Sequence, residues 1–135
     1  MELHLHIVGW MLILLAIIHL AFPKYFHWKK ELAQLSLINR QMVYVHTFFL
    51  ALILVLAGIL CVSSSKDLVE TPLGNRIAFG LGIFWLIRLF TQFFIYDTKL
   101  WRGKKFETIV HVLFSIAWIY FSAVFFITAF ARSPQ

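Results

Sequence analysis

The chain has 135 residues, of which 61% are hydrophobic and only 13% are charged. A soluble domain has roughly 45–50% apolar and about 25% charged residues, so lipid must cover much of this chain. The net charge of +6 would suggest nucleic acid as the partner of a soluble protein. Because basic loops of a membrane protein account for that charge more simply, we expect no nucleic-acid partner. The single cysteine, Cys61, excludes an internal disulfide, a CxxCH haem attachment and a cysteine-ligated cluster.

Four stretches of the chain are apolar over the roughly 20 residues that a helix needs to cross a bilayer. They run from about 5 to 22, 42 to 62, 77 to 96 and 108 to 130. The first has neither a basic leader nor a small-residue cleavage site after it, so we interpret it as a retained helix. The predicted fold class is therefore all-α, with one integral membrane domain over residues 1–135. Short connections between the spans favour an up-down-up-down four-helix bundle.

The basic residues predict how this bundle is oriented in the membrane. Eight of them flank the first and third loops, namely Lys24, Lys29, Lys30, Arg40, Lys99, Arg102, Lys104 and Lys105. Three lie on the opposite side, namely Lys66, Arg76 and Arg132. Because Lys and Arg accumulate in cytoplasmic loops, we expect loops one and three in the cytoplasm and both termini outside, in a bacterial inner (plasma) membrane. The aromatic and basic segment 26–32 also predicts a short interfacial helix in the first loop.

Each predicted span has one polar side chain about one turn from its cytoplasmic end. The four are His19, His46, Gln92 and His111. At a rise of 1.5 Å per residue they lie roughly 5–6 Å below the boundary of the membrane, which predicts a shared polar layer. Arg88 lies one turn deeper on the face of Gln92, where a charged side chain costs about 2.5–3.5 kcal/mol on insertion scales.

That cost predicts that the Arg88 side chain points into the bundle or extends to the interface, with Phe84 or Trp85 covering its guanidinium group. The fourth span has the strongest polar stripe, formed by residues spaced three or four apart on one face. They are Glu107, His111, Ser115, Trp118 and Ser122. Glu107 is one turn from His111, a spacing that lets its carboxylate orient the imidazole or share a ligand with it.

The first functional hypothesis is a redox or electron-transfer site in this layer. A b-type haem needs imidazole ligands on facing helices and cations near its propionates. The residues expected to hold it are His19, His46, His111, Arg88 and Gln92. A single transition metal would instead take His46, His111 and Glu107 as its ligands.

Two further hypotheses stay open. One is a non-catalytic accessory subunit that buries its polar side chains against a larger membrane complex or in a homo-oligomer. The other is a membrane enzyme that binds a quinone or a lipid, with Arg88 at its anionic or carbonyl head, Gln92 as hydrogen-bond donor and a histidine as proton carrier. The sequence assigns no catalytic residue. For Gln92, Ser115 and Ser122, hydrogen bonding between helices is the simpler interpretation.

Overall fold

The computed structural model describes residues 1–95 and 103–130, which form helices joined by short connections. In chain order the helices are α1 (Glu2–Tyr25), α2 (Trp28–Glu31), α3 (Leu37–Ser63), α4 (Ser65–Glu70), α5 (Pro72–Phe94) and α6 (Lys105–Phe130). Helices α1, α3, α5 and α6 are each long and apolar enough to cross a membrane. The predicted all-α class and the four candidate membrane spans are therefore confirmed.

All four of these helices begin before the apolar stretches that predicted them, and in α3 and α5 a capping residue determines where the helix begins. Ser36 accepts a hydrogen bond from the Asn39 backbone N–H at 3.4 Å, and α3 therefore begins at residue 37 and not near 42. Thr71 likewise accepts from the Gly74 N–H at 2.9 Å, and Pro72 supplies a preset first residue for α5. Helix α6 begins at residue 105.

The end of α1 also differs from the prediction, which placed it before Pro23. Helix α1 continues through Pro23 to Tyr25, since a proline in the last turn removes only one backbone hydrogen bond. A backbone hydrogen bond also forms just after the end of α1, from the Phe26 N–H to the Phe22 carbonyl at 2.9 Å. The predicted end of the third span, at residue 96, lies outside the described residues. The short helix predicted in the first loop is present as α2.

The chain divides into two compact units, which we describe separately. The N-terminal unit comprises residues 3–65 and contains most of α1, with α2 and α3. In this unit α1 and α3 run antiparallel, since Gly9 contacts the region of Gly58 and Val62 while His6 Nε2 lies 3.0 Å from Ser65 Oγ. A Cβ atom added at Gly9 would lie 2.7 Å from the Gly58 carbonyl oxygen, so the two backbones approach as closely as glycine allows.

The C-terminal unit comprises residues 1–2 and 66–135, and α5 and α6 pack along its length. These helices are also antiparallel. Asn75, near the start of α5, donates to the Thr128 carbonyl near the end of α6 at 3.3 Å, while Gln92 at the other end of α5 meets His111. Large side chains fill the space between these ends, and those buried most completely are Trp85, Trp118, Phe121 and Phe125.

Candidate functional site

The antiparallel pairing of α5 and α6 brings together a set of polar side chains that we call the polar seam. It is defined by six residues: Arg88, Gln92, His111, Ser115, Trp118 and Ser122. Those of α5 are four apart and those of α6 are three or four apart, so each helix carries its members on one face. Gln92, Ser115, Trp118 and Ser122 are buried, and the other two are half-buried.

The best-defined contact of the polar seam is the hydrogen bond between Gln92 and His111. The Gln92 Nε2 atom lies 2.9 Å from His111 Nδ1, and only 6% of the Gln92 side chain is exposed. An amide N–H that donates to Nδ1 requires a neutral imidazole with its proton on Nε2. The ring of Phe93 also meets the imidazole edge to face, at 5.9 Å between centroids. The Gln92 amide and the Phe93 ring thus hold the His111 imidazole in one orientation.

Arg88 lies over an aromatic ring of the neighbouring helix. Its guanidinium carbon is 5.4 Å from the centroid of Trp118. The ring of Trp118 in turn stacks on Trp85 at 4.8 Å and on Phe114 at 5.4 Å. A cation over a desolvated indole gains about 2 kcal/mol, which is comparable to the cost of about 2.5–3.5 kcal/mol for an arginine within a membrane-spanning helix. The sequence predicted this kind of contact but assigned it to Trp85 or Phe84 of the same helix.

Two polar atoms of α6 are buried without a hydrogen-bond partner among the described residues. They are the indole Nε1 of Trp118 and the hydroxyl oxygen of Ser122. Ser115 differs from them, because its hydroxyl donates to the His111 carbonyl at 2.7 Å within the same helix. A buried polar group left unsatisfied costs about 1–3 kcal/mol, so the two atoms mark a place where a further group would stabilise the protein.

The two predicted ligands in the N-terminal unit have different surroundings. His19 is half-buried, and its Nδ1–H donates to the Leu15 carbonyl at 2.9 Å, which leaves the lone pair on Nε2. The Phe22 ring lies 4.7 Å from this imidazole. His46 is exposed on α3. Glu107 of the C-terminal unit is also exposed, in the first turn of α6, and the residue that holds Nδ1 of His111 is Gln92.

The spacing behind the predicted polar layer changes once the helix ends are known. His19 lies six residues before the end of α1, His46 nine residues after the start of α3, Gln92 two before the end of α5 and His111 six after the start of α6. These distances correspond to about 9, 14, 3 and 9 Å at 1.5 Å per residue. The helices therefore extend past their apolar stretches by unequal lengths, and a layer at one depth in the membrane stays a prediction.

A cluster of metal ligands is not found among the residues that the structure describes. In that part of the chain no three side chains of His, Cys, Asp or Glu come together as a group able to hold a metal ion. The predicted set of His46, His111 and Glu107 thus receives no support from the geometry.

Sequence reasoning missed the stack of Trp85, Trp118 and Phe114, although each residue lies on the seam face of its helix. An antiparallel alignment of α5 and α6 with Gln92 opposite His111 would have brought these rings together. No family model matches the chain, and no curated protein or solved structure matches it.

Proposed function

We propose that the polar seam binds the head group of a membrane-soluble quinone. The observation that carries this proposal is the hydrogen bond from Gln92 to His111 Nδ1. In the proposed quinone-binding state the Gln92 amide N–H donates to Nδ1, so the proton of the neutral imidazole is on Nε2. A quinone head is a flat ring whose polar groups are carbonyl acceptors, and the seam supplies the complementary donors.

Two more donors support this assignment. The Trp118 indole N–H is buried and has no partner among the described residues, and Arg88 lies at 5.4 Å over the same ring. Neither α5 nor the described part of α6 beyond its first turn contains an acidic residue. A region rich in donors and poor in carboxylates is suited to an acceptor such as a carbonyl oxygen.

The aromatic stack supports a flat ligand. Trp85, Trp118 and Phe114 lie parallel or nearly so, with interplanar angles of 25° and 7° between successive rings. Aromatic rings prefer offset stacking, which a quinone ring can extend. The outer faces of the same helices are apolar and exposed, as at Ile87, Phe90 and Leu113, and they provide a lipid-facing surface for an isoprenoid tail.

In this role each residue has a defined task. Gln92 orients His111, Arg88 and His111 hold the carbonyl oxygens, and Trp118 adds a donor and a stacking surface. An imidazole can also pass a proton to a reduced quinone oxygen, and His111 is the proton carrier of the proposed site.

A b-type haem is the second candidate, and the geometry of His19 favours it. A histidine that binds iron through Nε2 usually donates its Nδ1–H to a carbonyl or carboxylate, as His19 does to Leu15. A haem ligated by His111 in the C-terminal unit would need the opposite tautomer, with the Gln92 amide reversed so that its oxygen accepts from Nδ1–H. The quinone and haem proposals therefore require different protonation states of the same ring.

The orientation of the protein completes the proposal. The surplus of basic residues supports loops one and three in the cytoplasm, both termini outside and an up-down-up-down order of the four helices. A bacterial inner membrane is the compartment to which this charge rule applies. The polar seam would then open towards the cytoplasmic leaflet, because Gln92 and His111 are adjacent to the third loop.

The test is a titration of the detergent-purified protein with a short-chain ubiquinone analogue, followed by quenching of tryptophan fluorescence. We expect Gln92→Leu to weaken binding about tenfold, which corresponds to one hydrogen bond of about 1.4 kcal/mol. The matched control is Thr91→Val, since the Thr91 hydroxyl donates to the Ile87 carbonyl of its own helix at 3.0 Å. This variant should bind as the wild type does.

Absorption spectra of the oxidised and reduced protein and metal analysis on the same sample separate the alternatives. A Soret band that disappears in His19→Ala or in His111→Ala would replace the quinone by haem. A colourless, metal-free protein that also fails to bind the analogue would leave the accessory subunit, whose polar seam faces a larger complex or another copy of the chain.

A further inference from the structure

The turn between α1 and α3 has an unusual backbone. Among the described residues other than glycine, only His27 has a positive φ, with φ 53° and ψ 48°. Its carbonyl accepts hydrogen bonds from the N–H groups of Lys30 at 3.0 Å and Glu31 at 2.9 Å. This left-handed residue ends α1 and reverses the chain into α2 within a few residues.

The reversal places α2 against the beginning of α3. The rings of Trp28 and Tyr44 meet edge to face at 5.6 Å. Arg40 lies one turn before Tyr44 on the same face of α3. Lys29 and Lys30 directly follow Trp28 in α2, and Arg40 precedes Tyr44 by one turn in α3, so each ring of the aromatic pair has cations near it in sequence.

The charge of this region is strongly one-sided. Between residues 24 and 40 there are four basic residues and one acidic residue, Glu31, which gives a net charge of +3. We call the four cations the basic turn: Lys24, Lys29, Lys30 and Arg40. The three lysines are exposed and Arg40 is half-exposed.

Large apolar side chains are exposed within the same segment. Tyr25 is 60% exposed and Phe26 50% exposed, and Leu37 is exposed at the start of α3. Exposed aromatic rings next to lysines are typical of the zone where lipid head groups meet the hydrocarbon. A soluble anion would neutralise the cations but would leave these rings in water.

We propose that the basic turn binds the head groups of anionic phospholipids in the leaflet that it borders. The lysines and Arg40 meet the lipid phosphates, while Trp28, Tyr44 and the exposed rings contact the glycerol and upper acyl region. This site is in the N-terminal unit and is independent of the quinone proposed for the polar seam. It requires the lipid's negative charge, not merely a bilayer.

The test is native mass spectrometry of the full chain in detergent, titrated with phosphatidylglycerol and, separately, phosphatidylcholine. The variant is Lys29→Gln with Lys30→Gln. The matched control is Lys104→Gln with Lys105→Gln, which removes the same charge from another exposed lysine pair. We expect the first variant to bind phosphatidylglycerol about thirtyfold more weakly than the wild type, because two cations near the head groups are lost.

The affinity of the control for phosphatidylglycerol should fall less than about threefold. Lys29→Arg with Lys30→Arg should bind as the wild type does, because arginine keeps the positive charge, and this result would argue against a folding defect as the cause. Equal losses in the two glutamine variants would overturn the proposal, because net charge alone would then account for them. Equal affinity of the wild type for the two lipids would overturn it as well. Displacement of phosphatidylglycerol by the same concentration of inorganic phosphate would show a site for a free anion instead.

Discussion

The two helix pairs of this protein are held together in opposite ways. In the N-terminal unit α1 and α3 meet at Gly9 and Gly58, where the two backbones touch. In the C-terminal unit α5 and α6 are separated by Trp85 and Trp118 and carry hydrogen-bonding groups between them. Within a membrane, where lipid is as apolar as a leucine side chain, both close backbone packing and polar contacts can hold helices together.

The difference has a consequence for function. The contact at Gly9 and Gly58 offers no hydrogen-bonding group for a ligand, because the side chains beside it are those of Val62, Cys61 and Ile13. The α5–α6 contact instead places an imidazole, a guanidinium group and an indole N–H among aromatic rings. The proposed binding site is therefore in the C-terminal pair. Three substitutions test whether the two kinds of helix contact differ in this way.

The largest effect is expected for Trp118→Ala in the C-terminal pair. Trp118 is 3% exposed, stacks on Trp85 and Phe114, and lies under the Arg88 guanidinium. Its removal should lower the free energy of unfolding by about 3–5 kcal/mol, through the lost contacts and the lost cation–π interaction. Thermal or denaturant unfolding in detergent measures this loss.

Trp118→Phe is the control for that substitution. Phenylalanine keeps a ring under Arg88 but lacks the indole N–H, so stability should fall much less than with alanine while quinone binding weakens. A stability loss as large as that of Trp118→Ala would show that the indole N–H, and not the ring, holds this contact.

An intermediate effect is expected for Gly58→Ala in the N-terminal pair. The added Cβ would lie 2.6 Å from the Gly9 carbonyl oxygen, so α1 and α3 must move apart. We expect a loss of about 1–3 kcal/mol in the free energy of unfolding. Gly80→Ala is the matched control, because nothing lies within 4 Å of its Cβ position and alanine favours a helix by up to about 1 kcal/mol.

The signs of these two glycine substitutions should therefore be opposite. If Gly58→Ala were as harmless as Gly80→Ala in detergent, α1 and α3 would not be held by close contact of their backbones. The two helix pairs would then not differ in the way described, because close backbone packing would not stabilise the N-terminal pair.

The sequence predicted the fold class and the four candidate spans because long apolar runs in a chain poor in charge are typical of membrane helices and of little else. It placed Gln92 and His111 at one depth, and the structure brings them within hydrogen-bonding distance. It did not identify Trp118 as the ring under Arg88, since helical periodicity defines a face but not which residue of the next helix it meets. The contact of Gly9 with Gly58 was equally hidden, because a glycine in an apolar run does not alter the hydrophobic pattern.

The smallest effect is expected for Ser122→Ala, which removes a buried hydroxyl without a partner among the described residues. The variant should leave stability unchanged or raise it by up to about 1 kcal/mol, because an unsatisfied polar group is removed. Ser115→Ala is the control, since it deletes a hydroxyl that is already bonded to the His111 carbonyl. Unfolding experiments at equal detergent concentration compare the two variants. If Ser122→Ala were instead the more destabilising variant, the Ser122 hydroxyl of the wild type would have a bound partner in the purified protein. Exhaustive extraction of quinone from the wild type would then identify that partner. A loss of stability on extraction, equal to that caused by Ser122→Ala, would show that the partner is the ligand of the polar seam.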